Sequence, residues 1–296
     1  MVITELRKVQ NRVSTTGSKA QVRWIIVSDL DGTLLDHYTY SFDSAQSALA
    51  QLQALNIPLV LNTSKTLREC REIASELKTL SPIIVENGGG IFVPKLAEEG
   101  VFWSSKPQRL EESEWIPLGV NRTNVLKAIR ELKEKRNLKF TSFSEMSQEK
   151  LQEVTGLSAS AATAAKSREF SEPLIWQDTP EQLAWFRQKL KTKNLHVVKG
   201  GRFHLVSGMH NKGTCLEWIR NHFNPDMHHR IKIVALGDGK NDLPMLEAAD
   251  ISICIRSPIN PPLKSENKMI VTTTRVGVDG WNDSILGTLE QMHINR

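Results

Sequence analysis

Two aspartates, Asp29 and Asp31, follow an apolar run at residues 24–27. Such a run is typical of a strand that is buried on both faces of a parallel sheet, where an unpaired charge is costly. Two carboxylates a few ångströms apart also repel each other. The pattern therefore predicts that a cation lies close to both aspartates in the folded protein.

A second acidic pair, Asp238 and Asp242, lies in the stretch GDGKND at the end of a later apolar run. Lys212, in the stretch HNKG, precedes a predicted helix and could reach the same place. Carboxylates gathered in this way become stable when they hold a hard divalent cation, and Mg²⁺ prefers oxygen ligands. The sequence therefore predicts a magnesium site with a lysine beside it.

Polar residues also follow two further apolar runs. Thr63 and Lys65 come after the second run of the chain, and Asn87 and Gly88 come after the third. Ligands of open α/β sheets bind outside the carboxyl ends of the strands, so we expect these residues to share one edge with the aspartates.

Apolar strands that alternate with helices must position these residues. Strands are predicted in residues 23–30, 57–64, 81–93, 231–239, 251–255 and 268–274, and helices in residues 41–56, 65–80, 211–223 and 241–249. Alternation with short connections indicates an α/β fold built on an open, mostly parallel sheet.

The pattern of predicted helices and strands changes in the middle of the chain. Residues 112–205 combine three predicted helices with short, more polar strands, which indicates a separate α/β unit inserted into the first domain. We therefore expect a core domain of residues 23–111 and 206–296, an inserted unit of residues 112–205 and a flexible N-terminal extension of residues 1–22.

Composition narrows the function classes. The 296 residues are 40% hydrophobic and 24% charged, as in ordinary globular proteins. The net charge of +5 comes without a long basic run, and no apolar run is long enough to span a bilayer, so neither nucleic acid nor membrane is expected as a partner. The three cysteines are far apart and odd in number, which favours a reducing, cytoplasmic location.

The ordered stretches DLDGTLLD, LNTSK, NKG and GDGKND resemble the four motifs of the haloacid dehalogenase superfamily of phosphatases. This resemblance covers nearly the whole chain after residue 23, and it implies a Rossmann-like core with an inserted α/β cap. The stretches VENGGGIF, TGLS, REFSEPLIW and GGRFHL are similar to those of the mannosyl-3-phosphoglycerate phosphatase family.

The resemblance implies a set of catalytic roles. Asp29 would be the nucleophile that forms an aspartyl-phosphate, and Asp31 would be the general acid and then the general base. Thr63 and Lys212 would contact the transferred phosphoryl group.

The same resemblance implies a cofactor, Mg²⁺. Asp29, the backbone carbonyl of Asp31 and Asp238 would hold the ion, and Asp242 would be either a direct ligand or an outer partner.

The substrate contacts implied for this chain lie on both units. Lys65, Asn87 and Gly88 would contact the substrate from the core. Arg168 would bind the glycerate carboxylate and Glu172 the sugar hydroxyls, both from the cap.

The resemblance implies hydrolysis of mannosyl-3-phosphoglycerate, or of a close glycosyl-3-phosphoglycerate, to the compatible solute mannosylglycerate and phosphate. Three alternatives stay open: a phosphatase of another sugar phosphate such as sucrose phosphate, a phosphotransferase similar to phosphomannomutase, and a binding module without activity. The partner expected is a phosphorylated glycoside, and the sequence does not indicate an oligomeric state.

Overall fold

The structure is a computed structural model that describes residues 21–98, 100–103, 113–200, 202–223 and 229–294. Most of the extension expected at residues 1–22 lies outside these ranges. Its last two residues, Gln21 and Val22, belong to the first strand.

Twelve strands are present in this part of the chain. They are β1 (Gln21–Ser28), β2 (Leu59–Asn62), β3 (Ile83–Val85), β4 (Gly90–Pro94), β5 (Ser113–Pro117), β6 (Phe140–Ser142), β7 (Ser171–Trp176), β8 (Leu195–Gly200), β9 (Phe203–Gly208), β10 (His229–Gly237), β11 (Ile251–Arg256) and β12 (Val271–Val276). Eight of them form one sheet in the order β12-β11-β10-β1-β2-β3-β4-β5. Only the β3–β4 and β4–β5 pairs are antiparallel in this sheet, so the expected α/β fold with a mostly parallel sheet is confirmed.

The apolar run that precedes Asp29 forms the centre of this sheet. Strand β1 pairs with β10 on one side and with β2 on the other, and Ile25, Ile26 and Val27 are completely buried. A strand with sheet neighbours on both edges and helices on both faces has no solvent-facing position, which explains why the run lacks the polar alternation of a surface strand.

Ten helices are described. They are α1 (Gln46–Ala54), α2 (Leu67–Glu76), α3 (Lys95–Glu98), α4 (Arg122–Arg136), α5 (Gln148–Thr155), α6 (Ala159–Lys166), α7 (Pro180–Lys191), α8 (Thr214–His222), α9 (Leu243–Ala248) and α10 (Gly277–Ile294). No helix in the described ranges combines the length and the apolar character that crossing a bilayer requires.

A smaller, antiparallel sheet has the order β6-β7-β9-β8 and lies between the two halves of the large sheet in sequence. Helices α4 and α7 pack on one face of it, around Val125, Leu174, Phe186 and Val206. We call this unit the cap. Its expected limits, residues 112 and 205, differ from the division between the sheets, because β5 belongs to the large sheet and β9 continues to Gly208.

The chain enters and leaves the cap at neighbouring points. A Cβ atom added to Gly119 would lie 2.8 Å from the His210 ring, and one added to Gly208 would lie 3.2 Å from the same ring. The two connections between the core and the cap therefore run side by side, with the buried His210 side chain against both.

Candidate active site

The three central strands of the large sheet, β10, β1 and β2, end at the same edge of the sheet. In the register of the large sheet, Ser28 of β1 lies opposite Leu236 of β10 and Leu61 of β2. The residues that follow these positions, among them Asp29, Thr63 and Asp238, therefore emerge at one edge, as expected for parallel strands.

Lys212 is the cation that the acidic residues require. Its side chain is completely buried, and its Nζ donates to Asp29 Oδ1 at 2.5 Å and to Asp242 Oδ1 at 2.6 Å. Burial alone would lower the pKa of Lys212, but the charges of Asp242 and Asp29 outweigh it and hold the pKa well above its ordinary value. The lysine is therefore a permanent positive charge between two carboxylates.

Asp242 has its second oxygen occupied as well. Asp242 Oδ2 accepts hydrogen bonds from the backbone N–H of Asp238 at 3.0 Å and of Gly239 at 2.9 Å. With Lys212 on Oδ1, this carboxylate organises the turn after β10 and anchors the lysine at the same time.

The carboxylates of Asp29 and Asp238 could each interact with a further cation. The Asp238 Oδ2 atom accepts from the Asn260 side-chain amide at 2.9 Å. Burial raises the pKa of Asp238, and burial together with repulsion from Asp242 raises the pKa of Asp29 to about 8, although Lys212 opposes the latter shift. Both groups would be stabilised in their ionised forms by a further positive charge.

The donor set fits a divalent cation. Oxygens of Asp29, Asp238 and Asp242 lie within 4.8 Å of one another, and all three residues are buried. Lys212 neutralises one of the three negative charges, which leaves two uncompensated in a buried place. Mg²⁺ prefers oxygen ligands, and its two positive charges would balance the two uncompensated negative charges of these carboxylates. The residues present therefore suit the expected ion.

Asp31 stands apart from this buried cluster and is partly exposed to solvent. Its side chain is 36% exposed, and its Oδ1 atom lies 2.9 Å from Lys65 Nζ. Burial tends to lower the pKa of Lys65, but the charge of Asp31 and the hydrogen bond to it raise the value overall. The ammonium group also lies 5.0 Å from the Tyr40 ring, so Lys65 is held between a carboxylate and an aromatic face.

Three further predicted residues lie along the same edge. Thr63 is completely buried, and its hydroxyl oxygen accepts from the Lys65 N–H at 3.2 Å, which leaves the hydroxyl hydrogen to donate. Asn87 accepts from the Asn241 side chain at 3.2 Å. Gly88 has a φ of +95°, and a Cβ atom there would lie 2.3 Å from the Asn211 carbonyl oxygen, so only glycine fits this position. Their substrate contacts stay predictions.

The two predicted cap residues have different surroundings. Arg168 reaches the core, where its Nη1 donates to the Ser64 carbonyl at 3.3 Å, while its buried Nε has no hydrogen-bond partner among the residues that the structure describes. Glu172 is completely buried inside the cap. Its Oε2 lies 2.6 Å from both Nε and Nη2 of Arg122, and its Oε1 accepts from the Ser144 N–H at 2.7 Å. Contact between Glu172 and sugar hydroxyls would require these bonds to break.

Sequence reasoning assigned no role to several residues that support the site. Trp281 donates to Ser28 Oγ at 3.0 Å, and this hydroxyl donates to the Asp29 carbonyl at 2.7 Å. Asn260 lies in a proline-flanked loop that carries no motif. Glu86, which directly follows β3, is another residue of this kind.

This chain is similar to known proteins over most of its length. Residues 26–279 match the model of a family described as haloacid dehalogenase-like hydrolase. A protein of Methanococcoides burtonii named glucosyl-3-phosphoglycerate/mannosyl-3-phosphoglycerate phosphatase is 32% identical over 269 residues, which are 90% of this chain and 97% of the relative. A protein of Persephonella marina with the same name is 34% identical over 272 residues, 90% of this chain and 98% of the relative.

Solved structures share the fold at lower identity. A protein of Thermoplasma acidophilum superposes with a TM-score of 0.62 at 14% identity, covering 91% of this chain and 99% of that one. A haloacid dehalogenase-like hydrolase from Bacteroides thetaiotaomicron superposes with a TM-score of 0.60 at 16% identity, covering 92% of this chain and 100% of that one.

Proposed function

Because this chain belongs to the haloacid dehalogenase-like hydrolase family, we propose that it is a magnesium-dependent phosphatase of glycosyl-3-phosphoglycerates. The proposed substrates are mannosyl-3-phosphoglycerate and glucosyl-3-phosphoglycerate, which give mannosylglycerate or glucosylglycerate and inorganic phosphate. Both substrates occur in the names of two relatives that align with 90% of the chain. The observation that carries the chemistry is the buried Lys212 between Asp29 and Asp242.

The first half of the proposed reaction transfers the phosphoryl group to the enzyme. One oxygen of the ionised Asp29 attacks phosphorus in line, and the bond from phosphorus to the glycerate oxygen breaks. Asp31 gives its proton to the departing alkoxide. The ester becomes an alcohol, and Asp29 becomes an aspartyl-phosphate.

The second half restores the enzyme. Asp31, now ionised, takes a proton from a water molecule as the water oxygen attacks phosphorus, and the bond to Asp29 breaks. Lys65, 2.9 Å from Asp31 Oδ1, stabilises this carboxylate while it is ionised. Inorganic phosphate leaves, and both aspartates return to their starting states.

Two further groups would stabilise charge during transfer. Thr63 donates its hydroxyl hydrogen to a phosphoryl oxygen, and Lys212 supplies a fixed positive charge beside Asp29. Asp29, Asp238 and the backbone carbonyl of Asp31 would hold Mg²⁺, with Asp242 as an outer partner through Lys212. When bound, the ion neutralises part of the charge on the phosphoryl group and the nucleophile.

Substrate choice would depend on the cap. The buried Nε of Arg168 lies next to the Thr63–Lys65 loop and has no partner within the described ranges, and a guanidinium group matches a carboxylate in shape and charge. We assign the glycerate carboxylate to Arg168, and we place Asn87 and Gly88 along the wall of the same cleft. We also propose a cytoplasmic location, which the three buried, unpaired cysteines support.

The alternatives predict different products. A sucrose phosphate phosphatase would release phosphate from an ester that has no carboxylate, and a phosphotransferase similar to phosphomannomutase would return the phosphoryl group to a sugar. A binding module has no need for a buried lysine shared by two carboxylates, since such a cluster is costly to maintain.

A substrate panel tests the proposal. Phosphate release should be measured with Mg²⁺ for both glycosyl-3-phosphoglycerates, mannose 6-phosphate, glucose 6-phosphate and sucrose 6-phosphate, with Asp29→Asn as the matched inactive control. We expect the highest kcat/KM for a glycosyl-3-phosphoglycerate. A preference for a hexose phosphate would refute the substrate assignment, and phosphoryl transfer without free phosphate would refute the phosphatase.

A further inference from the structure

Glu86 makes an unusual set of contacts for a core residue, because both oxygens of its side chain accept hydrogen bonds from the cap. Its Oε1 accepts from the Glu169 N–H at 2.7 Å, and its Oε2 accepts from the Phe170 N–H at 3.1 Å and from the Ser171 hydroxyl at 2.5 Å. The side chain of Glu86 is only 2% exposed. A buried carboxylate of the core is therefore satisfied by three consecutive residues of the cap.

The backbone of Glu86 is fixed just as firmly to the predicted phosphate-binding loop. Its N–H donates to the Lys65 carbonyl at 3.0 Å, and the next N–H, that of Asn87, donates to the Thr63 carbonyl at 2.9 Å. Glu86 has a φ of +50°, a left-handed conformation that costs a non-glycine residue free energy. The turn that aims this carboxylate at the cap is thus held by the loop that carries Thr63 and Lys65.

The cap segment that docks on Glu86 is the one that contains Arg168. The Arg168 Nη1 atom donates to the Ser171 hydroxyl at 3.0 Å and to the Ser64 carbonyl at 3.3 Å, and it lies 4.0 Å from Glu86 Oε2. Ser171 therefore links the two residues, since it donates to Glu86 and accepts from Arg168. These contacts position the guanidinium group, while its Nε has no hydrogen-bond partner in the part of the chain that the structure describes. We call the contact of Glu86 with residues 169–171 the dock.

We propose that Glu86 is a positioning residue that seats the cap segment Arg168–Ser171 on the core, so that Arg168 meets the carboxylate of the substrate beside the phosphoryl site. This rests on the proposed function. Glu86 does not touch the substrate; it fixes where the arginine stands. Specificity for a carboxylate-bearing ester then depends on a residue of the core as well as on the cap.

Glu86→Gln tests the dock with almost no change in shape. A glutamine has one acceptor oxygen and one NH₂ group, so at least one of the donors at residues 169–171 loses its acceptor. The first readout is amide hydrogen exchange of Glu169 and Phe170 in the full chain. We expect exchange at one or both amides to rise about tenfold or more in the variant.

The second readout is kinetic. For the preferred glycosyl-3-phosphoglycerate, Glu86→Gln should raise KM about tenfold to a hundredfold while kcat changes much less, since the loss falls on the carboxylate contact. For p-nitrophenyl phosphate, which has no carboxylate, kcat/KM should change less than about threefold by the same reasoning. Ser171→Ala, which removes one donor to Glu86, should show a smaller shift of the same kind.

Glu153→Gln is the matched control. It makes the same carboxylate-to-amide change in the cap, but at a side chain that is 68% exposed and pairs with Lys150. Exchange at residues 169 and 170 and the ratio of the two kcat/KM values should match wild type.

The outcomes separate the two proposals. If wild type does not hydrolyse either glycosyl-3-phosphoglycerate, the proposed function fails. If wild type does hydrolyse one, unchanged amide exchange at Glu169 and Phe170 in Glu86→Gln overturns the dock. An equal loss of kcat/KM for the glycosyl-3-phosphoglycerate and for p-nitrophenyl phosphate overturns its role in specificity. Should Glu86→Gln fail to fold, Ser171→Ala decides: unchanged exchange at Phe170 together with an unchanged KM overturns the proposal.

Discussion

The Nζ atom of Lys212 lies 2.5 Å from Asp29 Oδ1, so a buried cation fixes the proposed nucleophile before any substrate binds. The same ammonium group is shared with Asp242 at 2.6 Å. Orientation of Asp29 is therefore a property of the folded core and does not depend on the cap.

Asp29→Asn should abolish phosphate release without unfolding the protein. The amide cannot form the aspartyl-phosphate, and loss of a covalent nucleophile costs about a thousandfold or more. An asparagine oxygen can still accept from Lys212, and burial already disfavours the ionised form of Asp29, so thermal stability without Mg²⁺ should be equal or higher. Near-normal turnover in a folded Asp29→Asn protein would contradict the assignment.

Asp238 and Asp242 should differ when each is changed to asparagine. Asp238→Asn should weaken Mn²⁺ binding, measured by electron paramagnetic resonance, about tenfold to a hundredfold or more because an anionic ligand is lost. Asp242→Asn should instead lower the free energy of unfolding by about 3 kcal/mol. In either orientation of the asparagine, its NH₂ group would face other donors, namely Lys212 or the two backbone N–H groups. If Asp242→Asn weakens Mn²⁺ binding more than Asp238→Asn and leaves stability unchanged, Asp242 is a direct ligand.

Glu172→Gln should destabilise the cap more than it changes substrate choice. The substitution breaks the buried pair with Arg122, which costs about 3 kcal/mol in the free energy of unfolding measured by urea denaturation. Lys133→Gln, at the more exposed pair with Glu145, is the control, and it should cost less than about 1 kcal/mol. Unchanged stability together with a raised KM only for sugar-bearing esters would restore the role of Glu172 in sugar binding.

The His210 side chain should make stability depend on pH. Burial, followed by the nearby His196, lowers the pKa of His210 to about 4, while the Glu86 backbone carbonyl opposes the shift. Between this value and the ordinary value of 6.5, the unfolded chain binds a proton that the folded chain does not, so stability falls as pH falls. The free energy of unfolding should drop by about 2 kcal/mol from pH 7 to pH 5 on account of this group.

His210→Gln removes the titrating group and provides the control for that measurement. Its unfolding free energy, compared at the same two pH values, should show a decline that is smaller by about 2 kcal/mol than that of wild type. Parallel declines in the two proteins would show that other groups cause the pH dependence.

The sheet was predictable because its central strands are buried on both faces and read as continuous apolar runs, followed at once by polar residues. Helix α6 was missed since its sequence, ASAATAAK, lacks large apolar residues at helical spacing. Helix α10 begins with Gly277 and has a second glycine at Gly280, which weaken the helical signal at its start.

The partners of the site residues could not be predicted in the same way. Strand ends place Asp29 and Asp238 at one edge, but which oxygen of Asp242 accepts from Lys212 depends on the turn after β10. Asn260 reaches Asp238 from a loop without a motif, and Glu86 meets the cap only because the two units pack together. Contacts of this kind depend on tertiary packing, for which local sequence patterns carry no signal.

A Cβ atom added to either Gly119 or Gly208 would meet the same imidazole, so the cap is an insertion whose two ends lie close together. Rejoining the chain at that point would take only a short turn, and none of the central strands would have to change its neighbours. The core could therefore accept a different insertion at this position without losing the Asp29–Lys212 pair. In such a protein the cap, which can be exchanged, determines the range of substrates, while the core carries out the chemistry.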